Sequence, residues 1–233
     1  MRIIFIKPAI SLVLAVFLTF IFQGCRTVST GENTELNTAG AVMTEPPFQN
    51  AEPEKYQTEV WQTSATGVEK FFIVRDGARW RIDSAYGSPE QVSSMHTDKE
   101  YVASIALKSY AEYPASHGFD ERENMATEIS FGLINSREKA AYEKMGTENG
   151  ITKYRIAPAP PKNIETVIHF DEKLGRPVKK ELFKNDGANR LLDRTIELSG
   201  FTTQIDPTLF AFPKDYKKVS VEDMKKILTG AKQ

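Results

Sequence analysis

The chain contains a single cysteine, Cys25, among its 233 residues, so no disulfide can form within it. Its three histidines, His96, His117 and His169, lie in different segments, and no two are four residues apart as in a zinc-binding helix. The chain also lacks a G-x-S-x-G motif, a P-loop and a G-x-G-x-x-G motif. These absences predict a protein that is not an enzyme and that holds neither a metal ion nor a cofactor.

The chain has no excess of charge of either sign. Thirty Lys and Arg residues stand against 31 Asp and Glu residues, for a formal net charge of −1. A nucleic-acid-binding protein would show a concentrated basic face, so no nucleic-acid partner is expected. A hydrophobic content of 40% and a charged content of 26% are ordinary values for a globular domain.

Residues 1–24 have the features of an export signal. Arg2 and Lys7 precede an apolar run at residues 9–22, which is the order of charged and apolar regions in a secretory signal. The run is short for a bilayer-spanning helix, which needs about 20 apolar residues. Its ending, Gly24-Cys25, resembles the signal of bacterial lipoproteins, whose cysteine is acylated and becomes the mature N-terminus. An uncleaved membrane anchor with an incidental cysteine is the alternative.

The lipoprotein resemblance implies that acyl chains on Cys25, palmitate among them, hold the protein to a membrane. Several chains bind a bilayer more firmly than one, because each buried methylene contributes about 0.8 kcal/mol. Arg26 follows the cysteine, in place of the aspartate that often marks retention in the inner membrane. We therefore expect a bacterial cell-envelope protein anchored in the outer membrane and facing the periplasm.

Residues 25–54 form a predicted linker between Cys25 and a folded domain at residues 55–233. The linker is rich in Thr, Asn, Gly, Pro and Glu and has no apolar period, which is typical of disordered chain. A flexible coil of this length extends about 30 Å. Phe48 is an isolated apolar residue of the linker, and we expect that it does not dock onto the domain.

Short β-branched and aromatic segments separated by turn residues predict an antiparallel sheet in the domain. Asp76-Gly77 is a strong hairpin signal between two such segments, VEKFFIVR and ARWRIDS. Alternation in the second of them directs Trp80 and Ile82 inward. In the first, residues 71–74 are apolar on both faces, so either both faces are packed or one face lines a cavity. Two or three further strands follow in QVSSMHT and YVASIALKSYAEY.

A second run of strands is predicted from residue 151 to residue 213, ending with DPTLFAFP. In its strand at residues 164–171, Ile168 and Phe170 share one face and His169 lies on the other. Ile196 and Leu198 alternate in the same way with the polar residues of their strand. Each strand of this run therefore has an apolar face that something must cover.

Helices are predicted between these two runs and at the end of the chain. Residues 121–133 and 136–145 have helical periodicity and good helix formers. Met125, Ile129 and Leu133 form an apolar stripe along the first helix, which we expect to act as a lid on the sheet. A capping-box spacing that begins at Ser220 predicts a last helix ending near residue 228.

The segments GITKYRI, IHFDEKLGRPVKKELF, TIELSGF and DPTLFAFPKDYKKVS resemble the second half of the LolA/LolB-like superfamily of periplasmic lipoprotein carriers. The resemblance extends over residues 56–219. It implies an α+β fold, in which a strongly curved antiparallel sheet forms an incomplete, unclosed β-barrel and helices cover the concave opening. Members of the superfamily hold acyl chains or other apolar ligands inside.

The expected ligand is therefore apolar, such as the acyl chains of a lipid or a lipoprotein, and the expected role is lipid or lipoprotein trafficking. The lid is predicted at Met125, Ile129 and Leu133. The predicted ligand-lining residues are Phe72, Val74, Trp80, Ile82, Ile168, Phe170, Ile196 and Leu198. The alternative is a protein-binding or sensing module of the same fold, with a filled interior and an envelope protein as its partner.

Overall fold

Twelve strands make up most of the structure, a computed structural model that describes residues 43–48, 53–114, 139–156, 163–186 and 189–230. The first six strands are β1 (Lys55–Ser64), β2 (Gly67–Asp76), β3 (Arg79–Ser84), β4 (Val92–His96), β5 (Glu100–Ser104) and β6 (Ser109–Tyr113). The others are β7 (Tyr142–Glu148), β8 (Ile151–Ile156), β9 (Ile164–Asp171), β10 (Arg176–Asp186), β11 (Asn189–Thr202) and β12 (Lys217–Lys218).

The described strands form one sheet in the order β12-β6-β5-β4-β3-β2-β1-β11-β10-β9-β8-β7. Two antiparallel meanders, β1 to β6 and β7 to β11, meet where β1 pairs with β11. The short β12 adds a parallel strand beside β6. Strands β7 and β12 are the two edges, so the sheet is not closed. The prediction of a large, unclosed, mainly antiparallel sheet is confirmed.

The hairpin between β2 and β3 shows how local turn chemistry sets the register. Gly77 has a φ of +62°, a left-handed conformation that glycine adopts without strain. The turn aligns Asp76 with Arg79 and Ile73 with Ile82. Because directly opposite residues of an antiparallel pair share a face, this register decides which apolar residues of the two strands lie together.

Two apolar clusters lie on the face of the sheet that carries Val60. The first contains Tyr56, Val60, Phe71, Ile73, Ile196 and Leu198, with Ile82 and Phe201 packed against it. The second contains Val102, Ala111 and Met224, with Trp80, Val92, Tyr113, Val219, Ile227 and Leu228 around it. All of these residues belong to one unit, Leu36–Gln233. With its own apolar core this segment can fold alone.

A single α-helix, α1 (Val221–Gly230), is present among the described residues. The Ser220 hydroxyl accepts a hydrogen bond from the Asp223 backbone N–H at 3.1 Å and donates one to the Asp223 carboxylate at 2.8 Å. This reciprocal cap starts the helix, as the sequence predicts. The other predicted cover of the sheet, the helix at residues 121–133 with the lid residues Met125, Ile129 and Leu133, lies outside the described residues.

The prediction of a helix at residues 136–145 is wrong for the part that the structure describes. Ala140 forms an isolated β-bridge with Thr44, and Tyr142 begins strand β7. Asn149 and Gly150 have φ values of +51° and +78°, as in the Asn-Gly turns of two-residue hairpins. The turn returns the chain into β8, and cross-strand pairing overrides the helix propensity of the alanines and lysines.

The segment DPTLFAFP also differs from its predicted strand. Pro207–Phe210 form a 3-10 helix, and the Asp206 carboxylate accepts a hydrogen bond from the Thr208 N–H at 2.9 Å. Aspartate at the cap and proline in the first turn are helix-start residues. These local signals determine the conformation of the segment.

Candidate apolar binding face

The strand register brings six of the eight predicted ligand-lining residues onto one face of the sheet. The pairs that connect the strands are Val60 with Phe71 and Leu198, Ile73 with Ile82, and Lys180 with Ile196 and Ile168. We call this side the apolar face. It carries the predicted residues Trp80, Ile82, Ile168, Phe170, Ile196 and Leu198.

The other two predicted lining residues, Phe72 and Val74, lie on the opposite face. Phe72 pairs with Asp83 and stacks on Tyr86, with ring centroids 5.0 Å apart. Val74 pairs with Arg81 and is fully buried. Phe72 and Val74 therefore lie on the other side of the sheet from the six predicted residues of the apolar face. All four residues from 71 to 74 are apolar, so their pattern cannot tell which pair faces Ile82.

The centre of the apolar face is buried in this structure. Val60 is 0% exposed, and Tyr56, Phe71, Ile73, Ile196 and Leu198 are also buried. Burial of a large apolar side chain contributes about 1.5–3 kcal/mol, so this cluster stabilises the sheet.

Helix α1 covers one end of the apolar face. Met224 is fully buried in the helix and packs with Val102 and Ala111 of strands β5 and β6. Trp80, a predicted lining residue, lies beside this cluster and stacks on His96 at 5.9 Å. Trp80 therefore lies next to side chains of helix α1.

Phe48 covers part of the other end. Its ring lies 5.4 Å from the Phe170 ring in a stacked arrangement, 5.4 Å from Tyr154 and 5.9 Å from Tyr142. Phe48 therefore docks on the sheet, contrary to the expectation from the sequence. Phe48 is the only aromatic residue in residues 26–54, and this is the one feature of the sequence that distinguishes it from the rest of the linker.

The opposite face is covered over β3 to β5 by the segment that contains the 3-10 helix. Arg81 forms a bidentate pair with Asp83, with both distances 2.9 Å, and donates to the Leu209 carbonyl at 2.7 Å. The Arg79 guanidinium lies 4.6 Å from the centre of the Phe210 ring. A cavity of about 260 Å³ remains beneath the segment, lined by Arg81, Ser93, Met95, Ala103, Ile105 and Phe212 among others.

Three polar side chains of β9 and β10 on this opposite face form a paired group. His169 and Glu181 are 3.0 Å apart, and Lys179 also contacts the Glu181 carboxylate at 3.0 Å. Burial, the largest single cause, raises the pKa of Glu181, but the hydrogen bonds with His169 and Lys179 together lower it below its usual value. Glu181 is therefore ionised at neutral pH.

Two residues considered as candidate sites lie outside the part of the chain that the structure describes. They are Cys25, the predicted lipidation site, and His117. Over residues 43–230, apart from the gaps given above, no three His, Cys, Asp or Glu side chains are grouped to hold a metal ion. No helix in that part of the chain has the length and apolar content needed to cross a membrane.

No protein-family model matches the chain, and no curated protein matches it. Solved structures similar to it include MucB in complex with MucA(peri), at 12% identity and a TM-score of 0.43, over 72% of this chain and 57% of that chain. MucB alone is similar at 11% identity and a TM-score of 0.44, over 70% of this chain and 58% of that chain. The chain thus spans less than two thirds of MucB.

A LolA superfamily protein from Nitrosomonas europaea is also similar, at 10% identity and a TM-score of 0.30, over 71% of this chain and 93% of that chain.

Proposed function

We propose that the chain binds an apolar ligand, such as the acyl chains of a lipid or lipoprotein, on the apolar face. The observation that supports this most directly is the number of strands that place apolar residues on that face. They include Ile168 in β9, Ile196 in β11, Val60 in β1, Ile82 in β3 and Val102 in β5, with Lys180 of β10 and Ser94 of β4 at the intervening positions. Seven strand spacings of about 4.8 Å give a width of about 34 Å, which accommodates an extended acyl chain.

Burial of apolar surface supplies the binding free energy. At about 25 cal/mol per Å², a few hundred Å² of acyl surface corresponds to several kcal/mol, before the cost of ordering the ligand is subtracted. Because the centre of the face is already buried, a ligand gains less free energy there than on a fully exposed apolar surface. We therefore expect moderate, exchangeable binding, which suits trafficking.

The proposed role is binding and not catalysis, and the proposed location is the outer membrane on its periplasmic side, through acylated Cys25. The predicted linker holds the domain within about 30 Å of the bilayer. A domain in this position can receive acyl chains from a membrane or from a lipoprotein and keep them out of water.

Metabolic labelling with a radioactive fatty acid tests the anchor, since the Cys25→Ala variant should lose the label.

Binding is tested on residues 36–233 purified without detergent, with a dansyl-labelled fatty acid as the probe. The wild-type segment should enhance dansyl fluorescence, and native mass spectrometry should detect co-purified lipid. Ile82→Gln places an amide on the apolar face and should weaken binding about tenfold or more, because one buried polar group without a partner costs about 1–3 kcal/mol. Phe72→Gln is the matched control on the opposite face and should leave the affinity unchanged.

Two outcomes would contradict the proposal. One is that neither lipid nor probe binds the wild-type segment. The other is that Phe72→Gln weakens binding as much as Ile82→Gln, which would place the ligand away from the apolar face. Circular dichroism of both variants shows that the fold persists.

An exposed aromatic side chain favours a second candidate function, recognition of an envelope protein by the opposite face. Trp61 is 37% exposed in the central strand β1, and its ring is oriented by Lys70 at 4.4 Å and by an indole hydrogen bond to Glu59 at 2.8 Å. Exposed, pre-oriented tryptophans are frequent energetic centres of interfaces. A photo-crosslinker at Thr63 should capture a protein in intact cells, and Trp61→Ala should abolish this capture without changing fatty-acid binding.

A further inference from the structure

The segment at residues 43–48 is held against the sheet by a small set of contacts around Phe48. The Thr44 N–H donates to the Ala140 carbonyl at 3.0 Å, and the Ala140 N–H donates to the Thr44 carbonyl at 3.0 Å. Glu45 and Lys139 are 3.3 Å apart, but both side chains are largely exposed, so this ion pair contributes little. The docking therefore depends on the bridge at Thr44 and on the Phe48 ring.

The three rings around Phe48 all belong to the apolar face. The pairs Tyr142 with Ile156 and Thr152 with Phe170 continue the register from Ile168, which lies opposite Tyr154. Tyr142, Tyr154 and Phe170 thus line the β7–β9 end of the proposed binding surface, and Phe170 is also one of the predicted lining residues. Phe48 occupies a position that an apolar ligand on this part of the face would need.

The geometry of the segment favours docking that is specific but reversible. Pro46 and Pro47 restrict φ and hold the residues before them extended, which keeps Phe48 at a set distance from the Thr44 bridge. Phe48 remains half-buried, and only one bridge ties the segment to the strand edge in the described residues. A ligand can therefore release the segment without disturbing the sheet.

We infer that Phe48 is an internal competitor for the apolar ligand, so that an acyl chain lying over Phe170 displaces Phe48 and frees residues 43–48 from their bridge with Ala140. This inference rests on the proposed function and adds a regulatory step to it. Ligand binding then lengthens the free chain between the domain and its proposed anchor at Cys25. The loaded domain would reach farther from the membrane than the empty one.

The experiment combines hydrogen exchange with fatty-acid binding on residues 36–233. In the wild-type segment the Thr44 and Ala140 amides should be protected, and saturation with the dansyl-labelled fatty acid should accelerate their exchange. Phe48→Ala should exchange rapidly at Thr44 without ligand. It should also bind the probe roughly fivefold more tightly, the equivalent of about one aromatic contact.

Phe212→Ala is the matched control. Phe212 is also carried by an irregular segment and stacks on a tyrosine, Tyr110, at 4.5 Å, but on the opposite face. This variant should leave the affinity and the Thr44 exchange unchanged. Thr44→Pro removes the Thr44 N–H donor while keeping Phe48, and it should act in the same direction as Phe48→Ala. It therefore replaces that variant if Phe48→Ala does not fold.

The outcomes separate this inference from the function on which it rests. If the probe binds the wild type and Phe48→Ala equally, or if Thr44 and Ala140 stay protected in the complex, displacement is wrong while apolar binding stands. If the probe binds neither protein, the proposed function itself is wrong, and the inference fails with it. Tighter binding by Phe48→Ala together with ligand-induced exchange at Thr44 supports both.

Discussion

Two buried carboxylates in this sheet, those of Glu165 and Asp83, are paired with arginines. Glu165 is only 2% exposed, and it accepts hydrogen bonds from Arg190 at 2.7 and 3.1 Å and from Arg155 at 3.2 Å. Arg190 also lies 3.4 Å from the centre of the Phe183 ring. Asp83 has an equivalent arrangement with Arg81 and accepts a further bond from Gln91 at 3.0 Å. These bonds offset the cost of burying the two carboxylates.

The Glu165→Gln substitution should lower the free energy of unfolding by about 1–3 kcal/mol. The amide has a similar shape, but it loses the charge-assisted bonds and places an N–H₂ group against two guanidinium groups. Urea denaturation at pH 7 measures the difference. Glu143, which lies 3.7 Å from the same Arg155 but is half-exposed, provides the control. Glu143→Gln should change stability by less than about 0.5 kcal/mol, and equal effects would refute this account.

The interaction of Glu181 with His169 and Lys179 should make its contribution to stability dependent on pH. The pKa of Glu181 in the folded protein lies below the ordinary value of 4.5. Its ionised form is therefore favoured by folding, and the stabilisation is present above pH 4.5 and lost as the pH falls through the folded pKa. Glu181→Gln should destabilise the protein by about 0.5–1 kcal/mol at pH 7 and hardly at all near pH 3.

Urea titrations of the Glu181→Gln variant and the wild type at both pH values test this. A difference in unfolding free energy that is as large at pH 3 as at pH 7 would show that packing, not charge, makes the contribution.

At the scale of elements, both local start signals and tertiary contacts determine which secondary structure a segment adopts. Helix α1 has its own cap at Ser220, and it is positioned by one side chain, Met224, which inserts between residues of β5 and β6. In strand β7 the tertiary contacts prevail over the local signals. Its residues favour a helix, and the pairing with β8 makes it a strand. A cap is readable from the chain, whereas the partner of a strand is not.

Met224→Ala should destabilise the protein by about 2–4 kcal/mol, because it removes a fully buried side chain and leaves a cavity beneath α1. Met145→Ala removes the same side chain from β7, where it is 54% exposed, and should have an effect within about 0.5 kcal/mol. Thermal denaturation followed by circular dichroism distinguishes the two. Similar losses for both variants would mean that α1 is not anchored through Met224.

For the whole molecule, the pairing of β1 with β11 connects the two meanders. The Thr58 hydroxyl, for example, donates to the Ser199 carbonyl across 141 residues of sequence. At this junction Val60 is fully buried between Phe71 and Leu198. Contacts so distant in sequence are costly to close and slow to form, so the sheet depends on its central apolar cluster.

Val60→Ala should therefore lower the free energy of unfolding by about 2–3 kcal/mol, because it removes two buried methyl groups and leaves a cavity. The loss should appear as one shifted transition in both tryptophan fluorescence and circular dichroism. Val68→Ala, at a site that is 55% exposed in β2, is the control and should be close to neutral. Two separate transitions in Val60→Ala would indicate that the meanders fold independently.

The candidate site could be predicted in part. Period-two alternation places Trp80 with Ile82, and Ile168 with Phe170, on the shared faces that the strand register shows, because each of these strands has one apolar and one polar face. It fails at residues 71–74, where both faces are apolar and only the hairpin register with β3 separates Phe71 from Phe72. The docked Phe48 could not be predicted, because a single aromatic residue in a polar segment carries no periodic signal.

Taken by itself, the sequence determined what depends on near neighbours in the chain: most of the strands, the glycine turns, the cap of α1 and the apolar stripe of most strands. The tertiary structure alone decided the pairing of β1 with β11, the conversion of β7 into a strand, and the docking of Phe48 against Phe170. The physical reason is that side-chain period and turn geometry are local properties. Strand partners and the cover of an apolar face depend on burying surface between residues that are far apart in the chain.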